Sequence, residues 1–315
     1  MKKRFFRSLF TVLWLATMLI AANFWGVFSA SAATVDPMKT QDTDGDGLSD
    51  WDEIHLYHTN PNLADTDGDG YPDGEEVAHG YSPLVAGKTL KEVDSDGDGL
   101  SDWDEIHVYH TDPFNKDTDG DGYPDGEEVA HGYSPLLGQG QLAVNVDSDH
   151  DGLNDAWEIA LGTDLLNPDT DGDGYPDGTE VMDGYDPSRA GAARLEKVIQ
   201  VSLAKQTLTY SFGGKTLESF LISSGVKGME TPTGQFQVLD KVPVKHYGGP
   251  GYDLPNTKWN LHFTTEGARI YIHGAYWHHN WGHPMSHGCV NVPYSRMERL
   301  YDWAQVGTEV VINKK

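Results

Sequence analysis

One cysteine and a group of histidines hold the reactive chemistry of the C-terminal third of this chain. Cys289 is the sole cysteine among 315 residues, so no disulfide can form within the chain. The stretch from Ile272 to Asn291 surrounds it with His273, His278, His279, His283 and His287, and with Gly274 and Gly288. A thiol used for acyl transfer needs a base to take its proton and N–H donors to receive the developing oxyanion. His273 or His287 can be that base, and Gly288 lets backbone N–H groups come close. The plainer alternative is that Cys289 is a small buried hydrophobe. A zinc site among the histidines is the weaker reading, because the stretch contains no Asp or Glu and its spacing fits no zinc motif.

A second chemistry fills the middle of the chain. The segment Asp42 to Pro83 recurs almost letter for letter as Asp94 to Pro135, and more loosely as Asp147 to Pro187. Each copy holds two acidic loops of one pattern, with acids at positions 1, 3, 5, 9 and 12 and Gly at position 6. The first is Asp42, Asp44, Asp46, Asp50 and Glu53, and the second Asp65, Asp67, Asp69, Asp73 and Glu76. The third is Asp94, Asp96, Asp98, Asp102 and Glu105, and the fourth Asp117, Asp119, Asp121, Asp125 and Glu128. The fifth is Asp147, Asp149, Asp151, Asp155 and Glu158, and the sixth Asp169, Asp171, Asp173, Asp177 and Glu180. This is the spacing of an EF-hand loop: alternate carboxylates share one concavity, Gly makes the sharp turn, and the final Glu closes it with two oxygens. The loops therefore imply bound Ca2+ with a structural role. Position 7 alternates between Leu and Tyr, so the loops read as pairs. Few apolar residues follow each loop, so metal binding is expected to supply much of the folding free energy.

The elements that must position these groups differ sharply along the chain. The formal net charge is −27, yet residues 194–315 carry 13 Lys+Arg against 9 Asp+Glu, while 34–193 carry 5 basic and 40 acidic residues. So acidic a segment excludes nucleic acid as its partner, since it repels phosphate. Lys2, Lys3, Arg4 and Arg7, an apolar run from Leu9 to Phe28, and small residues from Ser29 to Ala33 read as a signal peptide over 1–33. The run is long enough to span a bilayer, so an uncleaved N-terminal anchor stays open, and with it the one route to membrane association. Residues 36–187 form three tandem repeats of loops and short helices. From 194 to 315 the pattern becomes β-like, with alternation at Ile199, Val201 and Leu203 and at Leu208, Tyr210 and Phe212, followed by a hairpin at Gly213-Gly214. Further strands are expected over 216–223, 236–242, 269–273 and 309–312. One helix is expected near Met297, Leu300, Tyr301 and Ala304. A domain of about 120 residues is large enough for its own core.

These motifs carry two resemblances. The repeats resemble the bacterial thrombospondin type 3 repeats, which implies a calcium-dependent, elongated spacer or adhesive region. His273-Gly274, then Ser286-His287-Gly288-Cys289, then Asn291, resemble the signature of the L,D-transpeptidase (YkuD) family over about 195–312. Thr231-Pro232-Thr233-Gly234 before Phe236, Gln206 within the opening strand pair, and the closing run Gly307 to Ile312 fit the same family. The resemblance implies a mainly β catalytic domain, sandwich-like with a short helix, and no cofactor for catalysis. It makes Cys289 the nucleophile and His273 the proton carrier, oriented by the Gly274 carbonyl. It makes His287, Gly288 and Cys289 the oxyanion donors, beside Ser286. Asn291 departs from members with Arg at that place, and Tyr276 and Trp277 are expected to line the substrate cleft. The implied reaction is an exported one on peptidoglycan stem peptides in the cell wall: release of the terminal D-alanine of a tetrapeptide and a 3→3 cross-link. Water as acceptor would make it an L,D-carboxypeptidase. A reading from another class is a non-catalytic, calcium-dependent wall protein.

Overall fold

A computed structural model describes residues 37–265 and 267–314. The basic and apolar N-terminal segment read as a signal peptide lies outside the described residues. The chain divides into two compact units, one ending at Glu75 and the other beginning at Glu76.

In the first unit, loop one leads into helix α1 (Asp50–Asp52), which widens into a π-helical turn over Glu53–Tyr57. Ser49 starts the helix because its hydroxyl accepts from Asp52 N at 3.1 Å. Loop two leads into α2 (Asp73–Ala78), whose residues from Glu76 on belong to the second unit. The Gly74 N–H donates to Asp46 Oδ2 at 3.2 Å, so the second loop is bonded to the first.

The second unit repeats this construction. Its helices are α3 (Asp102–Asp104), widening over Glu105–Tyr109, α4 (Asp125–His131), α5 (Asp155–Leu161) and α6 (Asp177–Asp183). Gly126 N donates to Asp98 Oδ2 at 2.7 Å and Gly178 N to Asp151 Oδ2 at 2.6 Å. The pairing suggested by the Leu/Tyr alternation is therefore a specific bond, from the tenth residue of one loop to the fifth of the loop before it.

The C-terminal part of this unit holds two sheets. The first runs β3-β2-β1-β9-β4, made of β1 (Lys197–Ser202), β2 (Thr207–Phe212), β3 (Lys215–Leu221), β4 (Gly234–Gln237) and β9 (Glu309–Asn313). The second runs β5-β6-β7-β8, made of β5 (Asp240–Gly249), β6 (Tyr252–His262), β7 (Tyr271–Ala275) and β8 (Val290–Pro293). Pairings are antiparallel except β1 with β9 and β7 with β8. The alternating apolar residues Ile199, Val201, Leu208 and Tyr210 face Leu261, Ile272, Val290 and Val292 in one core. Helix α7 (Tyr294–Trp303) adds Met297, Leu300 and Trp303 to it.

Two features depart from the sequence reading. The run expected over 236–242 is two strands in different sheets, because the chain crosses over between Gln237 and Asp240. The core is also not confined to the β region: Leu153, Trp157, Leu161 and Val181 of the third repeat are buried in the same cluster. Among the described residues, no helix is long and apolar enough to cross a membrane.

Candidate active site

Strands β7 and β8 set the geometry of the site. His273 lies opposite Asn291 in their parallel register. Side chains alternate in a strand, so Tyr271 and His273 share one face with Asn291 and with Cys289 just before β8. His273 is 3 % exposed, and its Nδ1 lies 3.0 Å from the Gly274 carbonyl oxygen. A carbonyl can only accept, so Nδ1 carries the proton and Nε2 keeps its lone pair. Gly274 is required by packing, since a Cβ there would lie 2.4 Å from the Tyr294 ring.

The loop that carries Cys289 is held from several sides. Gly288 has φ +114°, and a Cβ there would also press on Ile270 at 3.0 Å. The Ser286 hydroxyl donates to the Cys289 carbonyl and accepts from Gly288 N at 3.2 Å. That bond occupies one of the three N–H groups expected for an oxyanion hole and leaves the amides of His287 and Cys289. Thr231 Oγ1 donates to the Gly288 carbonyl at 2.8 Å and accepts from Gly225 N at 2.9 Å. Ser223 and Asn291 exchange backbone bonds at 3.0 and 2.8 Å. Gln206 reaches the same segment, accepting from Ser224 N at 2.9 Å and donating to Ser224 Oγ at 2.7 Å. Thr231 and Gln206 thus act through the loop that carries Cys289.

Burial governs the protonation states. It pushes the Cys289 thiol up to about 11, against the opposing pull of the Tyr271 N–H and the Lys245 charge. It pushes His273 down to about 4, with the Gly274 carbonyl working the other way. At neutral pH, Cys289 therefore rests as a thiol and His273 as a neutral imidazole.

The remaining predicted residues take varied places. His287 is exposed and its ring stacks on Tyr252 at 4.8 Å. Trp277 packs against His273 at 5.7 Å, and the Tyr276 hydroxyl donates to the Pro255 carbonyl at 2.7 Å. Asn291 Nδ2 lies 3.1 Å from His278 Nε2, while His279 and His283 are exposed. The sequence reading missed Tyr247, whose ring lies 4.8 Å from His273 and whose hydroxyl donates to Asn260 at 2.9 Å, and Lys245 beside it. Both stand on β5, which Gly248-Gly249 and the turn at Pro250-Gly251 hid as a strand.

The acidic loops show a repeated arrangement. The first-position Asp accepts backbone N–H bonds within its own loop, as Asp42 does from Gly45 at 2.7 Å and Gly47 at 3.2 Å. The ninth-position Asp is bonded to the second residue, as Asp50 is to Thr43 N and Oγ1 at 2.8 and 2.7 Å. The same holds for Asp73 with Thr66, Asp102 with Ser95, Asp155 with Ser148 and Asp177 with Thr170. In contrast, a third-position oxygen in every loop is buried with no hydrogen-bond partner: on Asp44, Asp67, Asp96, Asp119, Asp149 and Asp171. So is an oxygen of Glu53, Glu105, Glu128, Glu158 and Glu180. Burial and neighbouring aspartates push Glu105 up to about 8 and Glu158 to about 10. Carboxylates of Asp46, Glu53 and Asp73, and of Asp98, Glu105 and Asp125, come within reach of a single ion. Buried carboxylate oxygens without donors are costly unless a cation meets them, so these residues fit a hard, oxygen-seeking metal.

Two family models match segments of this chain. The L,D-transpeptidase catalytic domain family (YkuD) matches residues 196–312. The bacterial TSP3 repeat matches six times, at 42–64, 65–80, 94–116, 117–132, 147–168 and 169–190. A Bacillus subtilis protein named as the L,D-transpeptidase YkuD is 26 % identical over 118 residues, 37 % of this chain and 65 % of that protein. Similar solved structures include an L,D-transpeptidase from Mycobacterium smegmatis, at 26 % identity over 38 % of this chain and 60 % of that one, TM-score 0.36. Another is an Enterococcus faecium L,D-transpeptidase, at 28 % identity over 38 % of this chain and 50 % of that one, TM-score 0.35. Residues 196–312 are thus an L,D-transpeptidase catalytic domain, preceded in the same chain by six bacterial TSP3 repeats.

Proposed function

We propose that this protein is an exported cell-wall L,D-transpeptidase that works through a thioester on Cys289. The observation that carries the reading is the buried His273, held by the Gly274 carbonyl with its Nε2 free as a base, across the parallel pair from the strand that Cys289 leads into. As the Cys289 sulfur attacks the carbonyl of the third residue of a tetrapeptide stem, His273 Nε2 takes the thiol proton. The amides of His287 and Cys289 receive the oxyanion. Collapse breaks the bond to the terminal D-alanine, whose amine leaves with the proton from His273, and a thioester remains. The side-chain amine of a second stem then attacks the thioester, giving its proton to His273. The imidazolium returns that proton to sulfur as the 3→3 amide forms.

Trp277 and Asn291 adjoin His273, and Tyr276 adjoins Trp277, and we assign the three to substrate contact. Ca2+, when bound in the loops, supplies the charge that the third-position and twelfth-position carboxylates lack, and the repeats then serve as a stiff spacer from the point of export to the wall. Muropeptides incubated with the protein and resolved by mass spectrometry test the activity. The expected product is a cross-linked dimer with loss of D-alanine. Tripeptide stems alone, in the presence of an acceptor, would make it a carboxypeptidase, and unchanged tetrapeptides would overturn catalysis altogether.

A further inference from the structure

The third repeat is tied to the catalytic domain more closely than a spacer needs to be. Trp157 on α5 is 1 % exposed and meets Tyr210 of β2 edge-on at 5.8 Å. Leu153, Leu161 and Val181 are buried in the same cluster as Tyr210 and Trp303. Polar bonds fix the ends of both helices: Lys215 Nζ donates to the Leu161 carbonyl, which ends α5. Lys197 Nζ donates to the carbonyls of Met182 and Trp303 at 2.8 and 2.7 Å, and Gln305 Nε2 donates to Met182 O at 2.5 Å.

The opposite side of the same short helix carries the fifth loop. Glu158 follows Trp157 directly and is fully buried, and neither of its carboxylate oxygens has a hydrogen-bond partner. Asp147 Oδ1 and Asp149 Oδ2, from the start of that loop, are likewise buried and without partners. One oxygen each of Asp147 and Asp149 and both of Glu158 are thus buried without a donor, which disfavours this packing of α5 on the loop unless a cation meets them. A helix of seven residues has little stability of its own, so whatever displaces Glu158 also withdraws Trp157 from the sheet.

We propose that a divalent cation in the fifth loop, at Asp147, Asp149, Asp151 and Glu158, holds α5 and Trp157 in the catalytic core, an inference that rests on the cation reading of the loops. The proposal does not depend on which acyl acceptor the enzyme uses, or on whether it turns over at all. Glu105, the matching residue of the third loop, has the same unpartnered oxygen. The buried residues beside it, Ile106 and Val108, lie outside the catalytic cluster. Occupancy there should leave the sheets unaffected.

Hydrogen exchange on the full-length protein, with calcium and with a chelator, tests this without reference to activity. Calcium at a hundred times its dissociation constant is expected to slow exchange in peptides from 197–221 by on the order of a hundredfold, where their exchange goes through opening of the third repeat. Glu158→Gln should remove that calcium-dependent difference, and Glu105→Gln should keep it. The neutral amide also relieves repulsion, so the decisive quantity is the difference between the two conditions for each variant. Protection gained on calcium binding that stops at residue 190 in the wild-type protein overturns the proposal. So does a Glu158→Gln protein that still gains full protection over 197–221.

Discussion

At the scale of single residues, the site rests on a thiol and an imidazole that are both neutral at rest. Cys289→Ala removes the chain's one thiol, so under the proposed function covalent labelling by a carbapenem-type β-lactam should vanish from the intact-mass spectrum, and turnover with it. His273→Ala should fall nearly as far, because the members of one catalytic unit fail together. His287→Ala should cost much less, since its exposed ring only stacks on Tyr252. An active His273→Ala protein beside a dead His287→Ala protein would reverse the assignment of the base. The pH profile follows from the two shifted groups. Burial lowers His273 to about 4, so the basic imidazole persists down to that pH, and burial raises Cys289 to about 11, so the proton to be transferred stays on sulfur up to that pH. The β-lactam acylation rate should therefore be flat over roughly pH 6 to 9 and fall only on the acid side near 4. An acid limb at the ordinary histidine value would mean that His273 is solvated.

At the scale of elements, the loop of Cys289 is shaped by segments distant in sequence. Thr231 bridges the Gly288 carbonyl and the Gly225 N–H, and both are internal to the protein. Thr231→Val keeps the shape of the side chain and removes both bonds. It should cost roughly 1–3 kcal/mol of stability, the range for leaving a buried polar group unpaired. It should also slow acylation more than it weakens ligand binding, because it loosens the turn that positions the nucleophile. Equal thermal midpoints for Thr231→Val and wild type would show that the bridge contributes nothing. The hairpin β5–β6 is the element that sequence patterning concealed. Its glycines and its Pro255-Asn256 pair are residue types common in turns, yet β5 and β6 run 10 and 11 residues and carry Tyr247 to His273.

At the scale of the whole molecule, the acidic repeats and the catalytic sheets differ in what holds them together. The loops have buried carboxylates that lack donors, and the sheets have an apolar core. Chelation should expand the repeats, measured as a larger hydrodynamic radius. The sequence alone suggested that residues 194–315 fold independently, but the shared core places Trp157, Leu153 and Leu161 against them. A protein starting at residue 194 should then be markedly less stable than one starting at 147. Trp157→Ala in the full chain should cost about 3–5 kcal/mol, the usual range for emptying so large a buried site. Thermal denaturation followed by circular dichroism separates these outcomes. An unaltered midpoint for the shorter fragment would return the third repeat to the role of spacer.

Local spacing along the chain already encodes part of this protein. Alternate aspartates, a glycine at position 6 and a glutamate at position 12 spell out a candidate cation loop within twelve residues, and no distant contact is needed to recognise it. The run from Ser286 to Cys289 and the pair His273-Gly274 gave the candidate reactive groups, through their residue types and the resemblance they carry. The alternation of Leu208, Tyr210 and Phe212 gave the first sheet, and the spacing of Met297 and Leu300 gave the closing helix. Tertiary structure alone decided the rest. Which N–H groups of the nucleophile turn remain for an oxyanion depends on the Ser286 hydroxyl, and hence on how that turn folds. The protonation of Cys289 and His273 depends on burial, which no linear pattern specifies. The bond from one acidic loop to the next, and the burial of Trp157 under β2, join residues about 28 and 50 positions apart. Such contacts become visible only when the chain closes on itself, because a side chain's neighbours in space are set by the packing of whole elements.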